Sequence, residues 1–124
     1  MKKAVLWVTL AGLWITASEF VRNQFLFKRL WIDHFRSLGL AFETKPLNGI
    51  LWMVWSFLLA YLLFRLLAHL RLGHAVILAW LAAFVMMWIT VYNLGVLPLK
   101  LLFAAVPLSL LEAAVAAWIV RKAR

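Results

Sequence analysis

Residues 75–92 read AVILAWLAAFVMMWITVY, an apolar run of 18 residues without a single charged side chain. As an α-helix this run would be roughly 27 Å long, close to the roughly 30 Å hydrocarbon core of a bilayer. Three other runs have similar length and composition: residues 4–21, 50–68 and 101–120. Apolar and polar residues do not alternate, and eight or more barrel strands of about ten residues would not fit in 124 residues. The sequence therefore predicts an all-α integral membrane protein with four transmembrane helices in a single domain.

The composition of the whole chain supports this class. Hydrophobic residues make up 68% and charged residues 14%, whereas soluble domains average about 45–50% and about 25%. A soluble globule and a disordered chain are both excluded. Because cysteine is absent, so are disulfides and thiol-based metal sites. The first apolar run lacks a small-residue cleavage motif, so we expect it to remain a helix rather than to be a cleaved signal peptide.

Two of the three connections are short, so the helices they join must be antiparallel neighbours. In residues 69–74, Gly73 suits the end of the second helix. In residues 93–100, Gly95 and Pro98 break the helix. The second, third and fourth spans are therefore expected to form a compact bundle.

Small residues recur at helical spacing on the last two spans. Ala75, Ala79 and Ala83 form one ridge, and Ala113 and Ala117 form another. Such ridges allow two helices to approach closely, which stabilises packing in lipid through dispersion contacts. We expect these two ridges to be buried between helices.

The remaining connection has an amphipathic pattern over residues 25–38. Its apolar face carries Phe27, Leu30, Trp31, Phe35 and Leu38, and its polar face carries Arg29, Asp33, Arg36 and Ser37. Gly39 and Leu40 suit a Schellman ending, and Pro46 and Asn48 suit the start of the second span, with Asn48 as an N-cap. We predict an amphipathic interfacial helix between the first and second spans. The alternative is that the first span continues out of the membrane as one long helix.

The net charge of +9 is explained by membrane lipids rather than by nucleic acid, because the basic residues flank the apolar runs. With both termini in the cytoplasm, the inner side would carry seven basic residues: Lys2, Lys3, Arg65, Arg71, Arg121, Lys122 and Arg124. The outer side would carry six: Arg22, Lys28, Arg29, Arg36, Lys45 and Lys100. The positive-inside rule thus favours cytoplasmic termini and a multi-pass protein of the cytoplasmic (inner) membrane.

Glu112 is the acid that lipid should tolerate least. It is the twelfth residue of the 20-residue fourth run, with Ser109 one turn earlier on the same face and Pro107 freeing a backbone carbonyl nearby. Arg65 of the second span could pair with it, or a protonated Glu112 could hydrogen-bond Ser109 or Tyr61. Three hypotheses remain open: a structural clasp between helices, a site for a substrate, a proton or another ion, and a lipid-facing or interfacial position.

Glu19 lies near the end of the first span, with Arg22 and Asn23 three and four residues later. A local pair at the membrane boundary is the simplest interpretation. The alternative is an interfacial polar cluster under the amphipathic helix, formed by Glu19, Arg22, Arg29, Asp33, His34 and Arg36.

Asn93 ends the third span beside Gly95 and Pro98, which indicates a capping or turn role, with a ligand contact as the alternative. His69 and His74 are not on one helical face, and His34 follows Asp33 without a further ligand, so we expect no metal site. Serine residues have no histidine at a similar depth, and phosphate-binding loops are absent, so we expect neither a catalytic residue nor a cofactor.

The order of these features resembles a known kind of protein. An N-terminal span runs into an aromatic and basic stretch from Phe27 to Trp31 that ends in Gly39 and Leu40, and three more spans come after it, with Asn93 and Pro98 between the last two. This pattern is similar to small four-span bacterial membrane proteins grouped as a domain of unknown function. The resemblance implies the four-span architecture and no activity. Small multidrug transporters are similar in size, but their mid-helix acid in the first span and their glycine-rich packing motifs are not found here.

The sequence leaves three hypotheses for function. The first is a non-enzymatic helical subunit or self-associating module that packs against its own copies or another membrane protein. The second is a small oligomeric transporter or channel that uses Glu112, with Arg65, Ser109 and Tyr61 lining a path. The third is a lipid-modifying enzyme whose chemistry lies on the polar face around Arg29.

Overall fold

The computed structural model describes residues 1–124, all of which belong to helices or to the connections and ends that flank them. The order along the chain is α1 (Lys2–Val21), a π-helical turn (Arg22–Leu26), α2 (Lys28–Ser37), α3 (Pro46–Leu66), α4 (Leu72–Trp80), a second π-helical turn (Leu81–Val85), α5 (Met86–Asn93), a 3₁₀ turn (Leu99–Leu101) and α6 (Leu102–Arg121). There is no strand. The predicted all-helical class is confirmed.

Four continuous helical rods are long and apolar enough to cross a membrane. They are Lys2–Leu26, Pro46–Leu66, Leu72–Asn93 and Leu99–Arg121. Only 23 of the 124 residues are buried, and large apolar side chains cover the outside of the rods. Such a surface is compatible with a multi-pass membrane protein, because lipid can cover what water would not.

Consecutive rods run in opposite directions, so the bundle has two distinct ends. We call one the terminal end, where Lys122 near the C-terminus stacks on Trp7 of α1 and Arg124 stacks on Phe64 of α3. We call the other the α2 end, where His34 of α2 contacts the backbone of Gly95 in the α5–α6 connection.

Close packing near the terminal end depends on small residues. Ala75 and Ala79 of α4 and Ala113 and Ala117 of α6 are fully buried, as the alanine ridges predict, whereas Ala83 of the first ridge is only partly buried. Helix α1 also belongs to the bundle and packs along both α3 and α6. At Gly12, an added Cβ would lie only 2.7 Å from the Phe57 ring of α3, so this close approach requires glycine.

The chain breaks after the first rod and folds back as α2, so the alternative of one long first helix is wrong. Part of the apolar side of α2 packs on the bundle: Trp31 packs against a small cluster that contains Leu97 and Leu101, and Phe27, just before the helix, is buried in that cluster, whereas Leu38 is exposed. The ending is a Schellman motif, because Leu40 N–H donates to Phe35 O and Gly39 has a φ of 72°.

Two predicted helix caps are wrong. Gly73 does not end α3; it lies in the first turn of α4, after an extended Arg71. Asn48 does not cap α3, because Lys45 occupies the N-cap position and Pro46 already begins the helix. Proline at this position removes an N–H that would have had no acceptor, so the helix begins there without a side-chain cap.

Candidate functional site

Arg22 joins two buried carboxyl groups that come from different helices. Its Nη1 donates to Glu112 Oε2 of α6 at 2.9 Å, and its Nη2 donates to Glu19 of α1. All three side chains are buried, with exposed fractions of 6% for Arg22, 4% for Glu19 and 2% for Glu112. We call these three residues the ion triad. A guanidinium suits this geometry because its several N–H donors lie in one plane and can bond two carboxyl groups at once.

Uncharged polar groups hold the ion triad in place. Asn23 Nδ2 donates to Glu19 Oε2 at 3.0 Å, and Trp31 Nε1 of α2 donates to Asn23 Oδ1 at 3.1 Å. On the other side, Trp14 Nε1 donates to the Glu112 carbonyl at 3.1 Å. The triad is therefore connected to α2 by a continuous chain of hydrogen bonds.

The two π-helical turns contribute directly to the site. The first begins at Arg22 and closes with Phe27 N–H donating to Arg22 O at 2.8 Å. The second contains Phe84, whose ring lies 5.2 Å beneath the Arg22 guanidinium. An extra residue in a helical turn rotates the next turn by about 100° relative to an α-helix, and such turns occur often at functional sites. The cation–π contact gives the buried guanidinium a partner on its face as well as at its edge.

Ser109 lies one turn before Glu112 on α6 but does not contact the carboxyl group. Its hydroxyl accepts a hydrogen bond from Trp80 Nε1 at 2.8 Å and donates to Val106 O at 3.0 Å. Ser109 therefore ties α6 to α4 and is fully satisfied.

The charges of the ion triad do not balance. Two carboxylates face one guanidinium, which leaves one excess negative charge when both acids are ionised. Glu112 Oε1 is buried and has no hydrogen-bond partner among the other groups of the chain. Both carboxyl groups contact the same guanidinium, so they lie side by side. A buried excess charge is costly, so the site requires a proton or another cation to neutralise it.

An apolar groove reaches the triad from the outside of the bundle. It has a volume of about 330 Å³ and lies between α1 and α6, with Arg22 and Glu112 in its wall. Its other lining residues are Trp14, Ala17, Ser18, Val21, Leu26, Leu108 and Leu111. We call it the α1–α6 groove. Two of its lining leucines, Leu26 and Leu111, are exposed on the outside of the bundle.

A second cavity lies on the opposite side of the triad. It has a volume of about 130 Å³, is more enclosed, and includes Glu19, Arg22 and Asn23 in its wall. The remaining lining residues are apolar or aromatic: Phe27, Trp31, Trp52, Met87, Trp88, Val91, Leu97, Leu101 and Ala105. We call it the inner cavity. Arg22 lines both spaces, so the ion triad is the partition between them.

The partner predicted for Glu112 is wrong. Arg65 does not reach it; Arg65 Nη1 donates to the hydroxyl of Tyr61 at 3.0 Å, on an exposed face near the terminal end. Asn93 is exposed at the last turn of α5, where its side chain makes no hydrogen bond. Of the five residues predicted as a ligand or ion site, only Glu112 and Ser109 are buried, and their side chains do not bond each other, while Arg65, Tyr61 and Asn93 are exposed.

The predicted interfacial cluster is divided in two. Glu19 and Arg22 lie inside the bundle, whereas Arg29, Asp33 and Arg36 are exposed on the outer face of α2. His34 lies at the edge of α2, with Nε2 3.0 Å from Gly95 O. The pairing of Glu19 with Arg22 and Asn23 occurs as the spacing predicts, and Glu19 and Arg22 are buried in the bundle.

Sequence reasoning missed Arg22 as the partner of Glu112 because the apolar run of the first helix ends at Val21. Five more helical residues place Arg22 inside the rod rather than beyond it. The signal that could have found it is Glu19 and Arg22 at a spacing of three, on one face of an otherwise apolar segment. Trp14 and Trp80 were missed as hydrogen-bond donors, and composition alone gives no signal for that role.

The carboxyl groups of Glu19 and Glu112 are too few to form a metal site by themselves, since no group of three potential protein ligands for a metal occurs. The arrangement can hold a proton or bind a cation next to an apolar groove. Comparison with protein-family models, with curated proteins and with solved structures finds no match to this chain.

Proposed function

We propose that this protein spans a membrane four times and acts as a small transport protein, in which Glu112 exchanges a proton for a cationic ligand in the α1–α6 groove. The ligand would combine an apolar body with one positive charge. The groove supports this chemistry, since most of its lining is apolar and its charged groups, Arg22 and Glu112, belong to a cluster with excess negative charge.

A single observation carries the proposal: buried Glu112 Oε1 has no partner, in a carboxyl group that lines an open groove. A purely structural clasp explains Oε2, which accepts from Arg22, and the backbone carbonyl, which accepts from Trp14. It does not explain the second acid of the triad. With Glu19 and Arg22 already paired, a clasp would need only an uncharged hydrogen-bonding residue at position 112.

A proton and a cationic ligand would bind in competition. With a proton on one carboxyl group, the triad is neutral; with a cation in the groove, it is neutral without that proton. The residues that line the groove and the inner cavity include only three titratable groups: Glu19, Arg22 and Glu112. Ligand binding should therefore release about one proton at a pH where the empty site holds one.

The termini are proposed to lie in the cytoplasm. Arg22 is neutralised inside the bundle, so it no longer counts among the basic residues of the α2 end, and the counts become seven at the terminal end against five. The terminal end also has no acidic residue, whereas Asp33 and Glu43 lie at the α2 end. The positive-inside rule again favours cytoplasmic termini, and the difference in the number of basic residues is now two rather than one.

The experiment uses a matched pair of ligands. Benzyltrimethylammonium carries a fixed positive charge, and neopentylbenzene is its uncharged analogue with carbon in place of nitrogen. Titration calorimetry of the full chain in nanodiscs, repeated in buffers of different ionisation enthalpy, measures affinity and proton release. We expect the cation to bind with release of about one proton, and the neutral analogue to bind with none.

The Glu112→Gln variant provides the control, because it keeps the shape of the side chain and removes the second acid. It should lose the preference for the cation over the neutral analogue by at least about tenfold, as expected when one partner of a buried charge pair is removed. Its folding is checked by elution as a single species in mild detergent. Equal preference in the variant and the parent, or cation binding without proton release, would contradict the proposal.

A second candidate is a helical subunit that binds another membrane protein through α2. The observation that favours it is the outer face of α2, where Arg29 and Arg36 are exposed and make no ion pair. Replacing both with glutamate should release a co-purified membrane partner in mild detergent. Exchange of both for lysine is the matched control, and complexes unchanged by the glutamate variant would count against this function.

A further inference from the structure

The inner cavity lies where a proton leaving the ion triad would have to go. A cation that fills the α1–α6 groove blocks the outer side of the triad with its own apolar body. On the other side, Glu19 lines the inner cavity directly, and the cavity extends from there to residues Phe27 and Trp31 at the α2 end. The two spaces therefore give the triad two separate routes of access.

The inner cavity has the size and the polar groups to hold water. A water molecule occupies about 30 Å³ in the liquid, so about 130 Å³ corresponds to roughly four molecules. Glu19, Arg22 and Asn23 line one wall, and Trp52 and Trp88, whose indole N–H groups donate to no protein acceptor, are also among the lining residues. Ordered water in a buried cavity needs about three polar partners, and Glu19, Arg22 and Asn23 supply that number.

The groups that face Glu19 are few. Arg22 on the same rod and Glu112 on α6 are the charged ones, and Asn23 is the uncharged polar one. The residues contributed to the cavity by α2, α3, α5 and the connection before α6 carry no charge. Asp33 and His34 of α2 do not line the cavity, so Glu19 is its proton-exchanging group.

We propose that the inner cavity is a hydrated proton route that connects Glu19 with the aqueous phase at the α2 end, and that α2 covers its outer opening. This inference rests on the proposed exchange at Glu112. The proton leaves the Glu112 carboxyl group as its O–H bond breaks and an O–H bond forms on Glu19. Glu19 then passes the proton to cavity water, and the electron pair of each broken O–H bond stays on the carboxylate oxygen. The entering cation replaces the charge of the proton that departs.

Helix α2 is positioned to control this route. Trp31 stacks on Phe42 with ring centroids 5.9 Å apart and donates to Asn23, and His34 contacts Gly95 O at 3.0 Å. These contacts hold α2 beside the cavity. The other face of α2 exposes Arg29, Asp33 and Arg36, so the proposed route opens on a charged side of the bundle.

The natural absence of cysteine makes water in this cavity directly testable. Ala105 lines the inner cavity and is 2% exposed, whereas Ala113 on the same helix is fully buried and lines neither space. Methyl methanethiosulfonate reacts with a thiolate, which forms only where water is present. We expect the Ala105→Cys variant to be modified in nanodiscs at least tenfold faster than Ala113→Cys, as measured by mass spectrometry of the intact chain.

The same modification tests the proton route. The added S-methyl group occupies the inner cavity, so benzyltrimethylammonium should bind the modified Ala105→Cys variant with unchanged affinity, but proton release in stopped flow should slow at least tenfold. Ala17→Cys, in the α1–α6 groove, is the comparison: its modification should weaken binding of the cation itself. The unmodified form of each variant controls for folding.

The outcomes separate the two proposals. If the parent binds the cation and releases a proton, but Ala105→Cys is unreactive or its modification leaves the release rate unchanged, the proton route is wrong and the exchange at Glu112 stands. If the parent releases no proton, the exchange is wrong, and the proton route fails with it. Equal labelling of Ala105→Cys and Ala113→Cys would also overturn the hydrated cavity.

Discussion

The two ends of the bundle differ in how they are packed and in what they bury. Toward the terminal end, α1, α3, α4 and α6 approach closely through Gly12 and fully buried alanines, and the core there is almost entirely apolar. Toward the α2 end, the helices separate enough to leave the α1–α6 groove and the inner cavity, and the ion triad lies between these spaces. Close packing and buried charge thus lie in adjacent parts of one small bundle, which meet where Ala113 follows Glu112 on α6.

This difference has a physical reason. In lipid, helices associate through dispersion contacts, so small residues that allow close approach stabilise the bundle most. A buried guanidinium and two carboxyl groups need hydrogen-bond partners and space, which helices in close contact do not leave. A rigid terminal end can hold the helices in register while the more open α2 end supports chemistry. Substitutions at the terminal end should therefore affect stability and binding differently from substitutions at the α2 end.

The largest effect is expected from Arg22→Met. It removes the only cation of the triad and leaves Glu19 and Glu112 facing each other, so we expect a loss of about 3–5 kcal/mol in unfolding free energy, as for other broken buried ion pairs. The measurement is reversible unfolding in mixed micelles. The triple variant in which Glu19 and Glu112 are also changed to Gln should recover most of the loss. A single variant as stable as the parent would mean that the triad is not buried as described.

Gly12→Val tests the closely packed end. The new side chain would collide with the Phe57 ring, where a Cβ alone already comes within 2.7 Å, so α1 should move away from α3 at a cost of about 1–3 kcal/mol. Adding Phe57→Ala should restore part of the stability by making room, a coupling that a double-mutant cycle measures. Proton release on cation binding should be unchanged in Gly12→Val. Independent, additive effects of the two changes would argue against this contact.

The architecture was predictable because it depends on properties that each segment carries by itself. Residues 75–92 carry no charge. Phe27, Leu30 and Trp31 recur at helical spacing among charged residues, which is typical of an amphipathic helix such as α2. The Schellman ending at Gly39 is set by local chemistry in the same way. These features need no knowledge of neighbouring helices, and the structure contains all of them.

The site was predictable only in part, because its geometry depends on how the helices are extended and rotated. Glu112 stands out as an acid in an apolar helix, but its partner depends on five π-helical residues that have no sequence signature. Arg65 is a charged partner on another span, yet its position in the sequence does not fix which face of a helix points inward. The helix caps at Gly73 and Asn48 failed for a related reason: a turn of ordinary residues ends α3, and Pro46 starts its helix earlier.

Ser109→Ala should have a moderate effect and tests the hydrogen bond between α4 and α6. It removes the acceptor of the Trp80 indole N–H, and hydrogen bonds between membrane helices contribute about 0.6 kcal/mol on average and up to about 1.7 kcal/mol. We expect a loss of about 1 kcal/mol in unfolding free energy, with no change in cation preference because Ser109 does not contact Glu112. Ser109→Thr, which keeps the hydroxyl group, is the control. A changed proton release in Ser109→Ala would show that this serine belongs to the binding site.

The smallest effect is expected from Lys122→Gln at the terminal end. The Lys122 ammonium lies 3.8 Å from the Trp118 ring centroid and 5.1 Å from that of Trp7, but it is exposed, and such contacts contribute about 0.5–1 kcal/mol. Lys122→Arg should retain the stability, since a guanidinium also stacks on indole rings. The change in unfolding free energy should fall as salt is raised only if the contact is electrostatic, which separates it from simple packing of the lysine stem. The contact joins residues near both ends of the chain but is far from the ion triad. A loss of proton release in Lys122→Gln would therefore contradict the separation between the closely packed terminal end and the ion triad.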